Sequence, residues 1–175
     1  ALSPSAAPAT QADGPMAILS DGSIVMRVYT ASASHLQKIS GSDGSILWSR
    51  PLTWGGAAFR SAVGADSSDN IYVVGPPRSV SSYEQLEVLK IVASDGSLAW
   101  SRNIRTTAAQ QSGSLAWPYW WSERLMCSTA GVFIPAMMRY SGVRRPGTIF
   151  MPADGTIAVG NVTRTTFEPL TTSSM

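Results

Sequence analysis

The sequence predicts an all-β protein made of three four-stranded antiparallel meanders. Two observations lead to this prediction: a thirteen-residue segment recurs along the chain, and Asp-Gly pairs stand between short apolar runs. No stretch shows an apolar period of 3.6 residues that is long enough for a helix. Strands are therefore the regular elements that we expect throughout.

The recurring segment appears twice at an offset of 52 residues. Residues 38–50 read KISGSDGSILWSR and residues 90–102 read KIVASDGSLAWSR, with nine of thirteen positions identical. A decayed third copy, TIFMPADGTIAVG at 148–160, keeps the Asp-Gly pair and has no Trp. Such repetition indicates a recurring structural unit. The repeat residues predicted to be structural are Asp43, Gly44, Trp48, Asp95, Gly96, Trp100, Asp154 and Gly155.

Each copy is predicted to be a β-hairpin that turns at its Asp-Gly pair, because Gly adopts a positive φ at no steric cost. A second hairpin precedes each copy, with turns expected at Asp21-Gly22, Asp69-Asn70 and Ala130-Gly131. Two successive hairpins make one four-stranded meander. The predicted organisation is a single β-domain at 16–164 with units at 16–52, 60–104 and 123–162, an N-terminal arm at 1–15 and a C-terminal tail at 165–175.

The second unit has the features of a propeller blade. Residues 65–102 run from an Asp-rich turn through IYVVG and an apolar strand with Lys to a Gly turn and a strand with Trp. In this order they resemble the bacterial seven-bladed β-propeller repeat, and the final hairpin is similar to the repeat of quinoprotein propellers, in which the Trp docks onto the next blade. The resemblance implies blade-like sheets and no common activity. The positions that fill the pattern are Asp66, Asn70, Ile71, Tyr72, Val73, Gly75, Lys90, Gly96 and Trp100, with Asp69 where the family usually has Gly.

Three blades are fewer than the roughly 4–8 of a closed propeller. Open sheets would leave unpaired faces and edges that invite association. We therefore expect completion by oligomerisation, for example two chains giving six blades, or by other chains, or by further blades of a longer propeller. The alternative architecture is a β-sandwich or irregular barrel whose hairpins only resemble blades.

Composition narrows the functional classes. Only 14% of the residues are charged and the net charge is +2, while 26 Ser and 13 Thr supply most of the polar surface. This balance predicts neither a nucleic acid nor a membrane partner. With one histidine, His35, and one cysteine, Cys127, the chain can form neither an intrachain disulfide nor a multi-ligand Cys/His zinc site. No metal and no cofactor is predicted.

No catalytic constellation is recognisable, so the prediction is that the protein is not an enzyme. Cys127 lies in an apolar run and is interpreted as a small core residue. The segment 66–70 offers several oxygen ligands, but it lacks the spacing of a calcium loop and is interpreted as a capped turn.

Two clusters are candidate binding residues. The aromatic residues Trp117, Tyr119, Trp120 and Trp121 either fill space between the second and third sheets or bind a protein or a glycan. The basic residues Arg139, Arg144 and Arg145 either contact phosphate or carboxylate groups or form a solvated hairpin loop. Arg50 and Arg102, two residues after Trp48 and Trp100, are expected to cap their own strands.

The function predicted from these features is that of a non-enzymatic structural or interaction protein within a larger assembly, such as a phage head or tail accessory protein or another surface component. Its expected partners are other protein chains, copies of itself or neighbours, and its expected location is a virion or an extracytoplasmic space. The alternatives are a carbohydrate-binding propeller module and a fragment of a secreted propeller enzyme.

Overall fold

The computed structural model describes residues 11–12, 15–29, 33–52, 61–75, 85–105, 115–116, 124–140 and 143–156. Within these ranges every regular element is a β-strand. The strands form three antiparallel sheets, which do not close into a barrel. The predicted all-β class and the three antiparallel meanders are confirmed. No helix in the described part of the chain has the length and apolar character needed to cross a membrane.

Sheet 1 contains five strands, two of which lie end to end along one edge. Two short strands, β1 and β2, pair with the same edge of β3, and β4 and β5 follow on its other side. β1 belongs to the segment predicted as an N-terminal arm, and it pairs with the far end of β3. The strands are β1 (Gln11–Ala12), β2 (Ala17–Ile18), β3 (Ile24–Tyr29), β4 (Ser34–Ile39) and β5 (Ile46–Leu52).

Sheet 2 is a simple four-stranded meander in chain order. Its strands are β6 (Ala62–Ala65), β7 (Ile71–Gly75), β8 (Gln85–Ile91) and β9 (Leu98–Arg105).

Sheet 3 has three strand positions in the described residues. β10 (Leu115–Ala116) and β11 (Met126–Ser128) share one edge of β12 (Gly131–Tyr140), and β13 (Val143–Pro152) pairs with the other edge over ten positions. The fourth strand predicted for this unit falls at 157–160, outside the described residues.

Sheet 2 lies between the other two sheets, and the side chains of β7 show why. Because side chains alternate across a strand, Ile71 and Val73 face sheet 1, while Tyr72 and Val74 face sheet 3. All five residues of β7 are buried, as expected for a strand that is covered on both faces. The two apolar layers join the three sheets in series.

A β-bulge recurs at the same place in sheets 1 and 2. The register shifts between Lys38 and Ile39, and again between Lys90 and Ile91. In sheet 1 the bulge leaves Ile46 and Leu47 59% and 52% exposed, whereas Trp48 is only 8% exposed. A bulge rotates the following side chains, so this irregularity turns the indole toward the neighbouring sheet.

Candidate functional site

In the described residues, one set of polar contacts recurs between each hairpin that carries a Trp and the next sheet. Trp48 stands opposite Lys38 in the β4–β5 ladder. Its indole Nε1 donates a 3.1 Å hydrogen bond to the carbonyl oxygen of Ala93. Ala93 lies in the turn between β8 and β9, which we call the outer turn of sheet 2; the outer turns of sheets 1 and 3 are the turns that follow β4 and β13. Lys38 Nζ donates to the same oxygen at 3.3 Å. One backbone carbonyl of sheet 2 therefore receives two donors from sheet 1.

Gly96 forms the surface on which this indole rests. A Cβ atom built on Gly96 would lie 2.8 Å from both Cδ2 and Cε3 of Trp48, which is too close for any side chain. The φ angle of Gly96 is 72°, a left-handed conformation that Gly adopts without strain. The position therefore requires Gly for two independent reasons, one of backbone conformation and one of packing.

The same geometry recurs between sheets 2 and 3. Trp100 Nε1 donates to the carbonyl oxygen of Ala153 at 3.0 Å, and Lys90 Nζ donates to that oxygen at 2.9 Å. A Cβ on Gly155, whose φ is 70°, would lie 2.9 Å from Cδ2 of Trp100. The repeat seen in the sequence is thus a repeated sheet-to-sheet contact.

Arg50 and Arg102 extend this contact. Arg50 Nη2 donates to the carbonyl oxygen of Asp95 at 2.5 Å, and Arg102 Nε donates to that of Gly155 at 2.6 Å. Arg102 Nη1 also donates to Ser101 O of its own strand at 2.7 Å, as expected of a strand cap. The expectation did not include the partners in the next sheet, which both arginines have. The outer turns of sheets 2 and 3 therefore each accept hydrogen bonds from a Trp, a Lys and an Arg of the preceding sheet, and we call such a turn an indole socket.

Carboxylates in the turns act as caps. Asp43 Oδ1 accepts hydrogen bonds from Ser45 N at 3.0 Å and from Ser45 Oγ at 2.8 Å, and the same pattern recurs at Asp95 and Asp154. A side-chain hydrogen bond from Ser40, followed by those from Ser45, lowers the pKa of Asp43. The hydrogen bonds from Ser97 and Thr156 likewise lower the pKa of Asp95 and Asp154. Such caps fix the backbone of the socket.

Sheets 1 and 2 also meet through the inner turns that join β2 to β3 and β6 to β7. Ser20 N donates to Asp69 Oδ1 at 2.9 Å, and Ser20 Oγ donates to Asp69 Oδ2 at 2.5 Å. Asp69 has a positive φ of 60°, which Asp tolerates better than most residues. Asp66, in the same turn, accepts hydrogen bonds from Ser68 N, Asn70 N and Asn70 Nδ2 at 2.8–3.0 Å, as a capped turn requires.

The thiol of Cys127 lies in the layer between sheets 2 and 3. A Cβ on Gly64 would approach Cys127 Sγ to 2.7 Å, so the small residue on β6 makes room for the sulfur of β11. Burial, with a smaller effect of the Asp66 carboxylate, raises the pKa of Cys127 to about 12. The thiol is therefore protonated at neutral pH and packs as an apolar group.

No described contact brings the aromatic and arginine residues predicted as binding residues to the indole sockets. Trp117, Tyr119, Trp120 and Trp121 lie outside the described residues. The backbone of Arg139 pairs with that of Arg144 and the backbone of Arg145 with that of Met138, near the end of the β12–β13 hairpin. Among the described residues, no three His, Cys, Asp or Glu side chains are grouped so that they could hold a metal ion.

Sequence reasoning missed the lysines as binding groups. Lys38 and Lys90 recur at the offset of the repeat, directly across the ladder from Trp48 and Trp100, so the repeat already contained the signal. Which carbonyl oxygens they reach could be found only from the packing of the sheets.

Comparison with known proteins adds no identification. No protein-family model, no curated protein and no solved structure matches this chain.

Proposed function

We propose that this protein is a non-enzymatic structural component whose sheets are propeller-like blades, and that it works by packing side by side with other protein chains. The observation that supports the proposal most directly is the serial arrangement of sheets, in which the same Trp, Lys and Arg contact joins each sheet to the next. A contact that recurs with a fixed geometry can continue beyond this chain.

Exposed apolar side chains at the sheet 3 end support the same proposal. Phe133 and Phe150 pair across β12 and β13 with their ring centroids 4.6 Å apart, and they are 38% and 37% exposed. These two rings, which we call the Phe pair, lie on the face of sheet 3 opposite to the buried side chains of Val132 and Ile134. Exposed aromatic rings on a sheet face are typical of protein–protein interfaces.

The setting favoured by composition is a virion or a surface appendage. Few charges and many hydroxyl groups reduce the cost of removing a surface from water, since a buried charge needs a partner and a hydroxyl group needs only a hydrogen bond.

A photocrosslinking experiment tests this proposal in the native host or particle. The full chain carries p-benzoylphenylalanine in place of Phe133 in one preparation, and in place of the exposed turn residue Ser67 in a matched control. We expect a discrete covalent adduct heavier than the 18.5 kDa chain from position 133 and none from position 67. A chain that forms no adduct at position 133 while remaining folded would contradict the proposal.

A further inference from the structure

The outer turn of sheet 1 has the backbone of an indole socket. Gly44 has a φ of 73°, beside 72° at Gly96 and 70° at Gly155. Gly44 N donates to Ser40 O at 3.0 Å, as Gly96 N donates to Val92 O at 2.9 Å. The Asp43 cap closes this turn in the same way as the other two. Sheet 1 therefore presents the same turn as sheet 2, and it shares the Asp-Gly pair and positive φ of the turn of sheet 3.

This third socket differs from the others in being open. Gly96 and Gly155 are buried beneath Trp48 and Trp100, whereas Gly44 is exposed. Of the described residues, none places a heavy atom within 4 Å of a Cβ built on Gly44. Within the described part of the chain, the space that an indole fills at the other two turns has no occupant here.

The sheet face beside the open socket is apolar. In sheet 2, the face that receives Trp48 carries Ile71, Val73 and Ile91, which are at most 5% exposed. Their counterparts in sheet 1 are Ile24, Met26 and Ile39, as the ladder pairs Ile24 with Ile39 and Ile71 with Ile91 show. These sheet 1 side chains are only half-buried. The open socket therefore adjoins an apolar face that is covered at Val28 and only partly covered at Ile24, Met26 and Ile39.

The two filled sockets define the chemistry of the missing occupant. In each, the occupant is a β-hairpin whose outer strand carries Trp-Ser-Arg, with a Lys across the ladder from the Trp. The indole supplies apolar area and one donor, while the Lys and Arg supply further donors to backbone carbonyls. An occupant without these groups would leave the socket carbonyls without their donors.

A second copy of this chain does not offer such a hairpin at its unoccupied end. In the third repeat copy Val159 stands at the Trp position, because Asp95-Gly96 precedes Trp100 by the same spacing as Asp154-Gly155 precedes Val159. The Phe pair occupies the places of Tyr72 and Lys90 in sheet 3. Sheet 1 and sheet 3 of this chain are therefore not complementary to each other in the way that its neighbouring sheets are.

We infer that the Gly44 turn is a docking site for a Trp-bearing hairpin of a different protein chain, which has Arg two residues after the Trp and Lys across the ladder. This inference rests on the proposed function and names the partner that the sheet 1 end would take. The hairpin would place its indole on Gly44 and its donors on the carbonyls of the 40–45 turn, so that its sheet covers Ile24, Met26 and Ile39.

A binding experiment with the full-length chain tests this inference. The probe is a fluorescent, backbone-cyclised peptide with the sequence of residues 86–104, which carries Lys90, Trp100 and Arg102. Anisotropy titration is expected to show saturable binding, and the Trp100→Ala version of the peptide is expected to bind at least tenfold more weakly. Equal binding of the two peptides would overturn the inference without depending on the folding of any protein variant.

Two variants of the full chain locate the binding site. Gly44→Asn keeps a residue that tolerates a positive φ and fills the socket with a side chain. Gly22→Asn is the matched control, since Gly22 has a φ of 78° and also has no described atom within 4 Å of an added Cβ. We expect Gly44→Asn to weaken peptide binding at least tenfold and Gly22→Asn to leave it unchanged. Equal effects of the two variants would overturn the inference.

The remaining outcomes separate this inference from the proposed function. Self-association of the full chain that Gly44→Asn abolishes, measured by sedimentation equilibrium, would identify a second copy as the occupant and overturn the claim of a different partner. If the peptide fails to bind while the adduct at position 133 forms, only the socket inference fails. If the peptide binds and no adduct forms, the socket stands and the proposed packing at the sheet 3 end fails.

Discussion

Sheet 1 contacts sheet 2 through Trp48, and sheet 2 contacts sheet 3 through Trp100. In both contacts an indole lies on a glycine and donates to a carbonyl three residues or fewer before it. The electrostatic surroundings differ. Lys38, at the first contact, is 7% exposed and bonds the Asp21 carboxylate at 2.9 Å.

Lys90, at the second contact, is half-buried and lies 5.8 Å from the ring centroid of Tyr72. The turns differ as well, since Gly96 N bonds a carbonyl four residues back and Gly155 N bonds one three residues back. The indole packs on the glycine in the same way despite the different surroundings of the lysine and the different hydrogen bond in the turn. Packing of the indole ring is therefore the determinant that the two contacts share, and the ion pair at the first contact is an addition to it.

The largest expected effect is that of removing an indole. Trp48→Ala should lower the free energy of unfolding by about 3–5 kcal/mol, because a large buried ring and its cavity are involved. Trp48→Phe should recover part of this loss, because the smaller ring keeps an apolar contact but lacks the hydrogen bond to Ala93. Urea unfolding measures both. Leu47→Ala, at a 52% exposed neighbour, is the control and should change stability by less than about 0.5 kcal/mol; an equal cost at both positions would contradict the comparison.

A smaller effect distinguishes the filled socket from the open one. Gly96→Ala and Gly44→Ala both place a side chain at a φ near 72–73°, and each should lose about 1–2 kcal/mol for that reason. Gly96→Ala should lose about 1–3 kcal/mol more, since its Cβ would push against Trp48. The same urea titrations give both values, and equal losses would show that Trp48 does not bear on Gly96.

Labelling of Cys127 reports on the second contact alone. The thiol packs against the same apolar layer as Trp100 and has a pKa raised to about 12 by burial, so it should react slowly with a thiol reagent. Trp100→Ala should loosen this layer and increase the rate of labelling about tenfold, a change of about 1.4 kcal/mol in the free energy of local opening.

Trp48→Ala serves as the control for this measurement. It removes an equivalent indole from the other layer, so it should change the labelling rate of Cys127 much less. Both variants must be compared under conditions in which each remains folded by circular dichroism. Equal acceleration by the two variants would mean that the two layers open together.

The smallest effect concerns the Lys38–Asp21 ion pair, which the first contact has and for which the described residues show no counterpart at the second contact. The hydrogen bond from Ser23 and the bonded ammonium of Lys38 hold the pKa of Asp21 well below its ordinary 3.8. A carboxyl with a lowered pKa in the folded state stabilises the fold above its unfolded pKa and loses this contribution as the pH falls. Asp21→Asn should therefore reduce the loss of stability between about pH 4 and pH 2.

Unfolding titrations at each pH give two curves whose difference isolates Asp21. The turn carboxylates Asp43, Asp95 and Asp154 also have lowered pKa values, but they titrate in the wild type and the variant alike. Parallel curves would show that the Lys38–Asp21 pair contributes nothing to stability.

Much of the fold could be predicted from local chemistry. Asp-Gly pairs at 43–44 and 95–96 marked the turns because a carboxylate that caps the turn and a residue free to adopt a positive φ are local properties. The strands on either side followed from the apolar runs. β10 and β1 were not predicted, since a two-residue strand has too little sequence to show a period.

The site was only partly predictable. The repeat identified Trp48 and Trp100 as parts of a recurring unit, and it contained Lys38 and Lys90 without indicating what they bind. Their acceptors, Ala93 and Ala153, carry no side-chain signal, because the group that accepts is a backbone carbonyl. A backbone acceptor becomes recognisable only when the sheets are packed.

The sequence by itself determined that this chain forms three antiparallel hairpin units with glycine turns, because turn formation and strand pairing of neighbouring segments depend on short-range chemistry. The tertiary structure decided which face of each sheet is covered, and that Gly96 and Gly155 lie under indoles while Gly44 is exposed. The turns at Gly44 and Gly96 have nearly the same local sequence and backbone, and the turn at Gly155 shares their Asp-Gly pair and positive φ. The difference between them comes from the neighbouring sheet, which no local pattern encodes.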